Sequence, residues 1–223
     1  FRSWEDETLA GHSLGHYLSA CSMMYQTTGD SVFLERVNYI VDELGECQKA
    51  NSGGFIGAVR DTNVRRIFEE EIANGEIRSK GFDLNGIWAP MYTMHKQLAG
   101  LIDAHQLCNN EKALTVATNF ADWLGGILDQ LNDEQMEEML HCEHGGINEA
   151  MANLYAETGE QKYLNRAKRI YHERVLGPLS QGVDNLAGKH ANTQIPKLIG
   201  LARLYELTGD TAKRGTAEFF WET

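Results

Sequence analysis

The stretch CEHGGINEAMANLYAETGE, residues 142–160, decides the fold of this chain of 223 residues. It opens as a polar turn broken by Gly145 and Gly146 and continues as a helix with apolar residues at helical spacing. The helix is expected to end at Gly159, because glycine readily adopts the left-handed C-cap conformation. A helix N-terminus offers free backbone N–H groups and a positive dipole end, so a turn containing His and Glu there is suited to a polar ligand.

The ending of this helix recurs along the chain. Its copies are YQTTGD, LYAETGE and LYELTGD, which end at Asp30, Glu160 and Asp210. Tyr155 and Tyr205 lie 50 residues apart, and the same step back from Tyr155 reaches His105, with Asn109 in place of the glycine. Four copies of one unit, helix, tight turn and second helix, are therefore predicted.

The two helices of each copy differ in composition. The first is rich in Ala, Leu, Met and small residues, which is typical of a helix packed on most sides; the second, as in 31–48 and 161–175, has charged residues opposite an apolar stripe and faces water. This period of inner and outer helices predicts an all-α fold, an incomplete (α/α)6 toroid of about four helical hairpins. Residues 1–223 are interpreted as one partial barrel with an inserted, ordered loop at about 52–90 that walls a cleft. The fourth hairpin reaches Thr223 within its outer helix, so we expect the chain to be part of a larger domain.

Composition narrows the range of partners. The formal net charge of −12 argues against nucleic acid, which binds to basic faces, and favours a neutral molecule such as a sugar. No apolar run is long enough to span a bilayer, so no membrane partner is expected. Four scattered cysteines without a CxxC pair favour a reducing, cytoplasmic compartment. Because the chain opens on Phe1 without Met, we expect its true N-terminus to lie upstream.

Histidines follow the repeat. Those at His16, His95, His144 and His190 precede the marker tyrosine or its equivalent by 9, 10, 11 and 15 residues, at or just before the start of an inner helix. In a toroid these starts lie on one rim, so the four side chains are predicted to converge. His105, in an apolar helix, is expected in the core, and His172, on an outer helix, is expected to face solvent.

Alternatives remain open for several of these residues. His12 and His16 have the i, i+4 spacing of metal ligands, but capping and core packing explain the pair as well. Trp88 and Tyr92 precede His95 and would make an aromatic platform for a sugar, unless Trp88 only anchors the loop.

The carboxylates beside His144 and the polar residues after His190 extend the candidate site. Glu143 and Glu149 flank His144 either as an acid/base pair or as groups that orient the imidazole or cap the helix. The residues after His190, Asn192 to Gln194, add donors and acceptors for hydroxyl groups. No phosphate-binding loop and no GxSxG elbow is present in the sequence.

Four of these segments carry a resemblance to a known family. They are WEDETLAGHSLGHYLSA, GIWAPMYTMHKQLAGLIDAH, EHGGINEAMANLYAETGE and GKHANTQIPKLIGLARLYELTGD. They resemble glycoside hydrolase family 127 and its relative family 146, whose activity is that of β-L-arabinofuranosidases and which were formerly a domain of unknown function. The resemblance covers nearly the whole chain and implies the N-terminal part of a catalytic (α/α)6 barrel that β-sandwich domains follow. His95, His144 and His190 match the family's sugar-contacting histidines, with Trp88 and Tyr92 as candidate walls.

The resemblance also implies what this chain lacks. The family uses a cysteine nucleophile, a glutamate acid/base and a zinc ion held by glutamate and cysteine side chains, in segments that follow the HANTQIP helix. No catalytic residue and no metal ligand is therefore expected here, and we expect the chain alone to be inactive on an arabinofuranoside. The alternatives are another toroidal carbohydrate-active enzyme, a lyase or an epimerase, and a helical-repeat binding module without chemistry. The sequence does not define the linkage, the natural glycan or the oligomeric state.

Overall fold

The computed structural model describes residues 5, 9–51, 53–57 and 64–223. Within it the chain forms two compact units. The first unit comprises residues 1–76 and 93–130, and the second comprises residues 77–92 and 131–223.

The first unit is helical. Its two long hairpins are formed by α1 (His12–Thr28) with α2 (Ser31–Ala50), and by α4 (Pro90–Cys108) with α5 (Glu111–Leu128); the first three residues of α4 group with the second unit. The charged part of the insertion is also helical, as α3 (Val64–Arg66), a π-helical turn (Ile67–Glu71) and a 3-10 turn (Ile72–Asn74).

The second unit adds a small sheet to its helices. The helices are α6 (Asp133–Leu140), α7 (Ile147–Thr158), α8 (Gln161–Arg169), α9 (Glu173–Ser180), α10 (Ala191–Thr208) and α11 (Thr211–Glu222). The strands are β1 (Ser79–Lys80), β2 (Asp83–Leu84) and β3 (Ile87–Trp88), which pair antiparallel in the order β1-β2-β3. The stretch 81–90, predicted as part of an ordered loop, contains two of these three strands, β2 and β3.

The repeated turn has the predicted geometry. The marker residue has a positive φ in all four copies: 69° at Gly29, 54° at Asn109, 72° at Gly159 and 71° at Gly209. Each is followed by the N-terminus of the second helix of its hairpin, which begins at Ser31, Glu111, Gln161 or Thr211. The four predicted helical hairpins, and the all-α class, are confirmed.

Inner helices meet at small residues in both units. In the first, a Cβ on Gly15 of α1 would lie 2.1 Å from the Lys96 carbonyl oxygen of α4, so the two backbones touch. In the second, a Cβ on Gly200 of α10 would lie 2.2 Å from the side chain of Asn148 on α7. The Asn148 amide donates to the Lys197 carbonyl at 3.0 Å, so this contact is polar.

One predicted helix is wrong. The outer helix expected over 161–175 ends at Arg169, because Ile170 takes a ψ of 75°, outside the helical region. A new helix starts after His172, whose carbonyl accepts the N–H groups of Val175 and Leu176. The chain therefore changes direction at His172, and this side chain is buried rather than solvent-facing.

No helix in the described part of the chain is long and apolar enough to cross a membrane.

Candidate functional site

A cavity of about 380 Å³ lies in the second unit. Its walls come from the β1–β2 turn, from the break between α8 and α9, and from the first turns of α10. The lining residues are Gly81, Phe82, His141, His172, Arg174, Val175, Lys189, His190, Thr193, Gln194 and Lys197. This volume is within the usual range of small-molecule sites, about 300–1,000 Å³. Part of the predicted insertion, at Gly81 and Phe82, thus walls a cleft.

Lys197 is the most unusual side chain of this cavity, because it is a lysine with only 1% of its surface exposed. Its ammonium donates to the His172 Nδ1 atom at 2.8 Å and to the Gln194 Oε1 atom at 2.9 Å. Burial lowers the pKa of Lys197 to about 8, and the carboxylates of Glu137 and Glu143 oppose that shift. A buried cation held in this way costs stability unless its hydrogen bonds are made.

His172 is held neutral by its surroundings. Burial, together with the Lys197 charge, lowers the pKa of this imidazole to about 2. The ring packs edge-to-face against two other imidazoles, with centroid distances of 6.1 Å to His141 and 5.9 Å to His144. Sequence reasoning missed His172 and Lys197, because nothing in the local periodicity marks the helix break that turns His172 inward.

His144 lies behind His172 rather than on the cavity wall. It is buried in the turn before α7, and its Nδ1–H group donates to the Cys142 carbonyl at 3.1 Å. Burial, assisted by the Lys197 charge, lowers the pKa of His144 to about 3. His144 is therefore neutral near pH 7, as a partner for sugar hydroxyl groups should be.

His190 is the N-cap residue of α10, and its imidazole is exposed, as is that of His141, which also lines the cavity. The Phe82 ring meets that of His190 edge-on, with 5.7 Å between centroids and 88° between planes. Ring packing of this kind orients the imidazole without using its nitrogen atoms. The aromatic side chain that lines the cavity is thus Phe82, which the sequence analysis did not single out.

Glu143 links the turn before α7 to α10. Its Oε1 atom accepts a hydrogen bond from the Thr193 hydroxyl at 3.2 Å, and its backbone N–H donates to the Gly81 carbonyl at 3.1 Å. Burial, together with the Glu143 charge, raises the pKa of Tyr92. Glu149 lies on α7 and is half-buried. Of the two carboxylates that flank His144, Glu143 is therefore the one that hydrogen-bonds residues of the cavity wall, Gly81 and Thr193.

The other predicted site residues lie as follows. Trp88 is half-buried in β3 and is not among the lining residues of the cavity, and Tyr92 is half-buried in the first turn of α4. His95 is buried on α4 in the first unit. The prediction that these histidines surround one hollow therefore rests, within the second unit, on His144 and His190.

The first unit holds the other histidines. Glu5 accepts the N–H groups of Gly11 and Ser13 at 2.7 and 2.9 Å, and its carboxylate lies 3.0 Å from the His12 Nδ1 atom. Glu5 thus caps α1, whereas the His16 side chain is exposed. His105, expected in the core, is half-buried on α4, 3.8 Å from Glu111.

A larger groove of about 690 Å³ lies along α6 and the α8–α9 break. Its polar lining consists largely of surface ion pairs, such as Arg174 with Glu138 at 3.2 Å. Exposed pairs of this kind are common on protein surfaces and contribute little. We therefore place the candidate site in the smaller cavity, where the polar groups are buried.

The thiols of Cys142 and Cys108 have little nucleophilic character, because burial raises their pKa. Burial raises the pKa of Cys142 to about 12, with the Asp83 and Glu143 charges adding to it, and burial also raises that of Cys108. Cys21 is buried as well, and Cys47 is exposed. No group of three or more His, Cys, Asp or Glu side chains in the described ranges could hold a metal ion, so these residues do not fit the zinc ion that the resemblance implies.

Comparison with known proteins agrees with the resemblance. A family model described as "Beta-L-arabinofuranosidase, GH127 catalytic domain" matches residues 1–223. The chain belongs to this family. A non-reducing end β-L-arabinofuranosidase of Bifidobacterium longum subsp. longum is 29% identical over 135 residues, which cover 54% of this chain and 20% of that protein.

A solved structure shows the same fold. The chain superposes on a GH127 β-L-arabinofuranosidase from Geobacillus stearothermophilus T6 with a TM-score of 0.65 and 12% identity, over 97% of this chain and 36% of that one. The fold of that enzyme is an α/α toroid, so the predicted fold class is confirmed. This GH127 chain spans about a third of the solved structure and a fifth of the Bifidobacterium relative.

Proposed function

We propose that this chain is the N-terminal part of the catalytic domain of a retaining β-L-arabinofuranosidase and supplies part of its sugar pocket. His95, His144 and His190 bind hydroxyl groups of the furanose, and Trp88 and Tyr92 contribute walls. The observation that supports this best is the cavity of the second unit, which His190 lines and which has His144 directly behind its His172 wall.

The chemistry of the cavity suits a neutral sugar. A neutral imidazole has one donor and one acceptor nitrogen, so it can both give a hydrogen bond to a hydroxyl oxygen and receive one from the hydroxyl hydrogen. The low pKa of His144 keeps it neutral near pH 7, and because its Nδ1–H group donates to the Cys142 carbonyl, its Nε2 atom is the acceptor nitrogen. The Phe82 ring beside His190 offers an apolar edge for the C–H face of a sugar.

We also propose that the bond-breaking groups are not among the described residues. A cysteine nucleophile has to be a thiolate, and the raised pKa values of Cys142 and Cys108 keep both protonated near neutral pH. No step of this proposal involves a metal ion. The chain alone is accordingly expected to bind a furanose without hydrolysing its glycosides.

Binding and turnover are tested separately. Ligand-observed NMR with methyl β-L-arabinofuranoside should show weak binding by the chain, and His190→Ala should weaken it by about tenfold, the effect of losing one hydrogen bond of about 1.4 kcal/mol. Lys213→Ala, on α11 and outside the cavity, is the matched control and should bind as the wild type does. Equal binding by the wild type and His190→Ala would contradict the pocket assignment.

Turnover is measured with an aryl β-L-arabinofuranoside. The expected result is no release of the aryl group above the buffer rate. Hydrolysis by the chain alone that Cys142→Ser abolishes would show that the assignment of the bond-breaking groups is wrong.

A further inference from the structure

The cavity of the second unit differs in charge from the chain as a whole. The chain carries a formal net charge of −12. In the described part of the chain, the residues that line the cavity include the cations Arg174, Lys189 and Lys197 and no aspartate or glutamate. A cavity lined by charges of one sign attracts ligands of the opposite sign, because its low-dielectric walls focus the electric field. This lining therefore favours a ligand with a negative charge.

Lys189 supplies the cavity with an accessible positive charge. The residue is exposed and immediately precedes His190. Its ammonium donates to the backbone carbonyl of Asn185, which is an uncharged acceptor, and it forms no ion pair with the described residues. Because an ammonium group has three N–H donors, this hydrogen bond leaves two of them for a ligand.

Lys197 adds a second, buried positive charge to the cavity wall. The hydrogen bonds of its ammonium, at 2.8 and 2.9 Å, go to the imidazole of His172 and the amide oxygen of Gln194, which are both uncharged. The carboxylates of Glu137 and Glu143 act on this ammonium through space. A buried charge without a directly bonded counter-charge destabilises the fold, and an anion in the adjoining cavity would offset part of that cost. Lys197 therefore acts on a ligand through its electric field and need not contact it.

Arg174 adds a third positive charge, which it shares with the neighbouring groove. The residue lines both the cavity and the larger groove along α6. Its Nε atom lies 3.7 Å from the Glu137 Oε1 atom, and its Nη2 atom lies 3.2 Å from the Glu138 Oε2 atom. These carboxylates neutralise part of its charge, so Arg174 should attract an anion in the cavity less strongly than Lys189 does.

Hydrogen bonds hold the segment of Lys189 beside the start of α9. The Asn185 side-chain amide donates to the Arg174 carbonyl at 3.1 Å, while the Asn185 carbonyl accepts the Lys189 ammonium. The positive end of the α10 dipole lies at the same place, because His190 is the N-cap of this 18-residue helix and no side chain caps it. Positive charge therefore converges on the cavity from α9, from α10 and from the segment between them.

We propose that the ligand of this cavity is acidic: a carboxylate of a uronic acid unit binds the Lys189 ammonium in the field of Lys197 and Arg174. This inference rests on the proposed function, since the uronic acid is a second unit of the glycan that carries the arabinofuranose. The neutral furanose binds to the imidazoles, and the exposed Phe82 ring offers an apolar surface for the C–H groups of either sugar ring. The natural substrate is accordingly an acidic glycan rather than a neutral arabinan.

The direct test compares D-galacturonate with D-galactose, which differ at C6 by a carboxylate against a hydroxymethyl group. Ligand-observed NMR with the wild-type chain should show that galacturonate binds about tenfold more tightly at low ionic strength. Raising the ionic strength from about 20 mM to about 0.3 M should weaken galacturonate binding several-fold through screening and leave methyl β-L-arabinofuranoside binding unchanged. Equal affinities for galacturonate and galactose would overturn the inference.

Sodium sulfate at matched ionic strength separates a uronic acid from other anions. Sulfate should bind more weakly than galacturonate, because it has no sugar ring to pack against Phe82. Sulfate that binds as tightly as galacturonate, and displaces it, would overturn the assignment of a uronic acid and leave an adventitious ion only.

Variants at exposed positions test which cations bind the carboxylate. Lys189→Gln should weaken galacturonate binding about tenfold, whereas Lys189→Arg, which keeps the charge, should stay within about threefold of the wild type. Arg174→Gln should weaken it less than Lys189→Gln does. Lys168→Gln, an exposed lysine of α8 outside the cavity, is the matched control and should bind as the wild type does. Equal weakening by Lys189→Gln and Lys168→Gln would show an effect of overall charge and contradict the inference.

The outcome pattern distinguishes the two proposals. A wild-type chain that binds methyl β-L-arabinofuranoside but does not prefer galacturonate to galactose overturns only the inference. A chain that binds galacturonate through Lys189 but does not bind the arabinofuranoside supports the anionic site and overturns the proposed function. A chain that binds none of these sugars overturns both.

Discussion

The two units contain the same hairpin but differ in what lies between their helices. In the first unit, Gly15 brings α1 into backbone contact with α4, and the outer helix α2 runs unbroken over Ser31–Ala50. In the second, α7 and α10 meet through the amide of Asn148, and the outer helix breaks between α8 and α9. The polar cluster of Lys197 and His172 occurs where the repeat is interrupted.

A break in the outer helix is a position where a repeat fold can bury polar side chains. An unbroken outer helix presents its polar face to water, so its charged residues serve solubility. A break in the helix turns one residue of that face inward, as at His172, and its imidazole can then meet the inner helix. The resulting burial of polar groups costs stability, which the second unit should show under conditions that leave the first unaffected.

The largest expected difference between the two units is in how their stability depends on pH below 6.5. The pKa values of His144 and His172 in the folded state are about 3 and about 2, against 6.5 for an exposed histidine. The unfolded chain therefore binds more protons below pH 6.5, and the free energy of unfolding should fall by up to about 2.7 kcal/mol per pH unit from these two groups. Above pH 6.5 their contribution should be constant.

Urea unfolding at pH 7.0 and 5.0 measures this effect. His172→Gln removes one titrating group and should reduce the pH dependence by about half of that amount. His16→Gln, which changes an exposed histidine of the first unit, should reduce it less. An equal reduction in both variants would contradict the assignment of acid sensitivity to the second unit.

Adding a methyl group at either of the two helix contacts should have the next largest effect on stability. Gly15→Ala places a Cβ against backbone atoms that cannot rotate away, so we expect the free energy of unfolding to fall by about 3 kcal/mol. Gly200→Ala meets the Asn148 side chain, which can turn aside at the cost of its two hydrogen bonds, to the Lys197 carbonyl and from the Glu149 N–H group, so we expect a loss of stability of about 1–2 kcal/mol.

Gly215→Ala is the control for both substitutions. Gly215 lies within α11 with no atom near the added methyl group, so this change should stabilise the chain by up to about 1 kcal/mol through helix propensity. Thermal and urea unfolding compare the three variants. If Gly200→Ala were the more damaging of the two contact variants, the polar contact would be the more rigid one.

The sequence predicted the regular part of this molecule well. Glycine or asparagine at the four repeat markers readily adopts a positive φ, which ends a helix, so the hairpins could be located. The break at Ile170 was not predictable from local pattern, because the residues around it keep helical periodicity and the cause is tertiary packing. His172 was therefore assigned to the solvent face, and the partner of Lys197 was missed.

The smallest effect concerns the N-terminus of α8. The side chains of Asp30 and Asp210 accept the N–H groups of Val32 and Ala212 at 3.0 and 3.1 Å, whereas Glu160 at the equivalent position makes no side-chain cap. Glu160→Asp should supply the missing cap and stabilise the chain by about 0.5–1 kcal/mol.

Asp30→Ala removes a cap that is present and should destabilise the chain by about 1 kcal/mol. Thermal unfolding measures both variants. Glu160→Asp would lose stability instead if the ion pair of Glu160 with Lys162, at 2.8 Å, contributed more than a cap does.

We propose that the imidazoles of His144, which is buried, and His190, which is exposed, both belong to a sugar pocket of the second unit. A titration of the ¹⁵N-histidine-labelled chain with methyl β-L-arabinofuranoside tests it most directly, because every histidine reports in one spectrum. We predict that the signals of His144 and His190 shift with one common dissociation constant while the exposed His16 stays unchanged. Shifts confined to His12 and His16, or the absence of any shift at saturating sugar, would contradict the account.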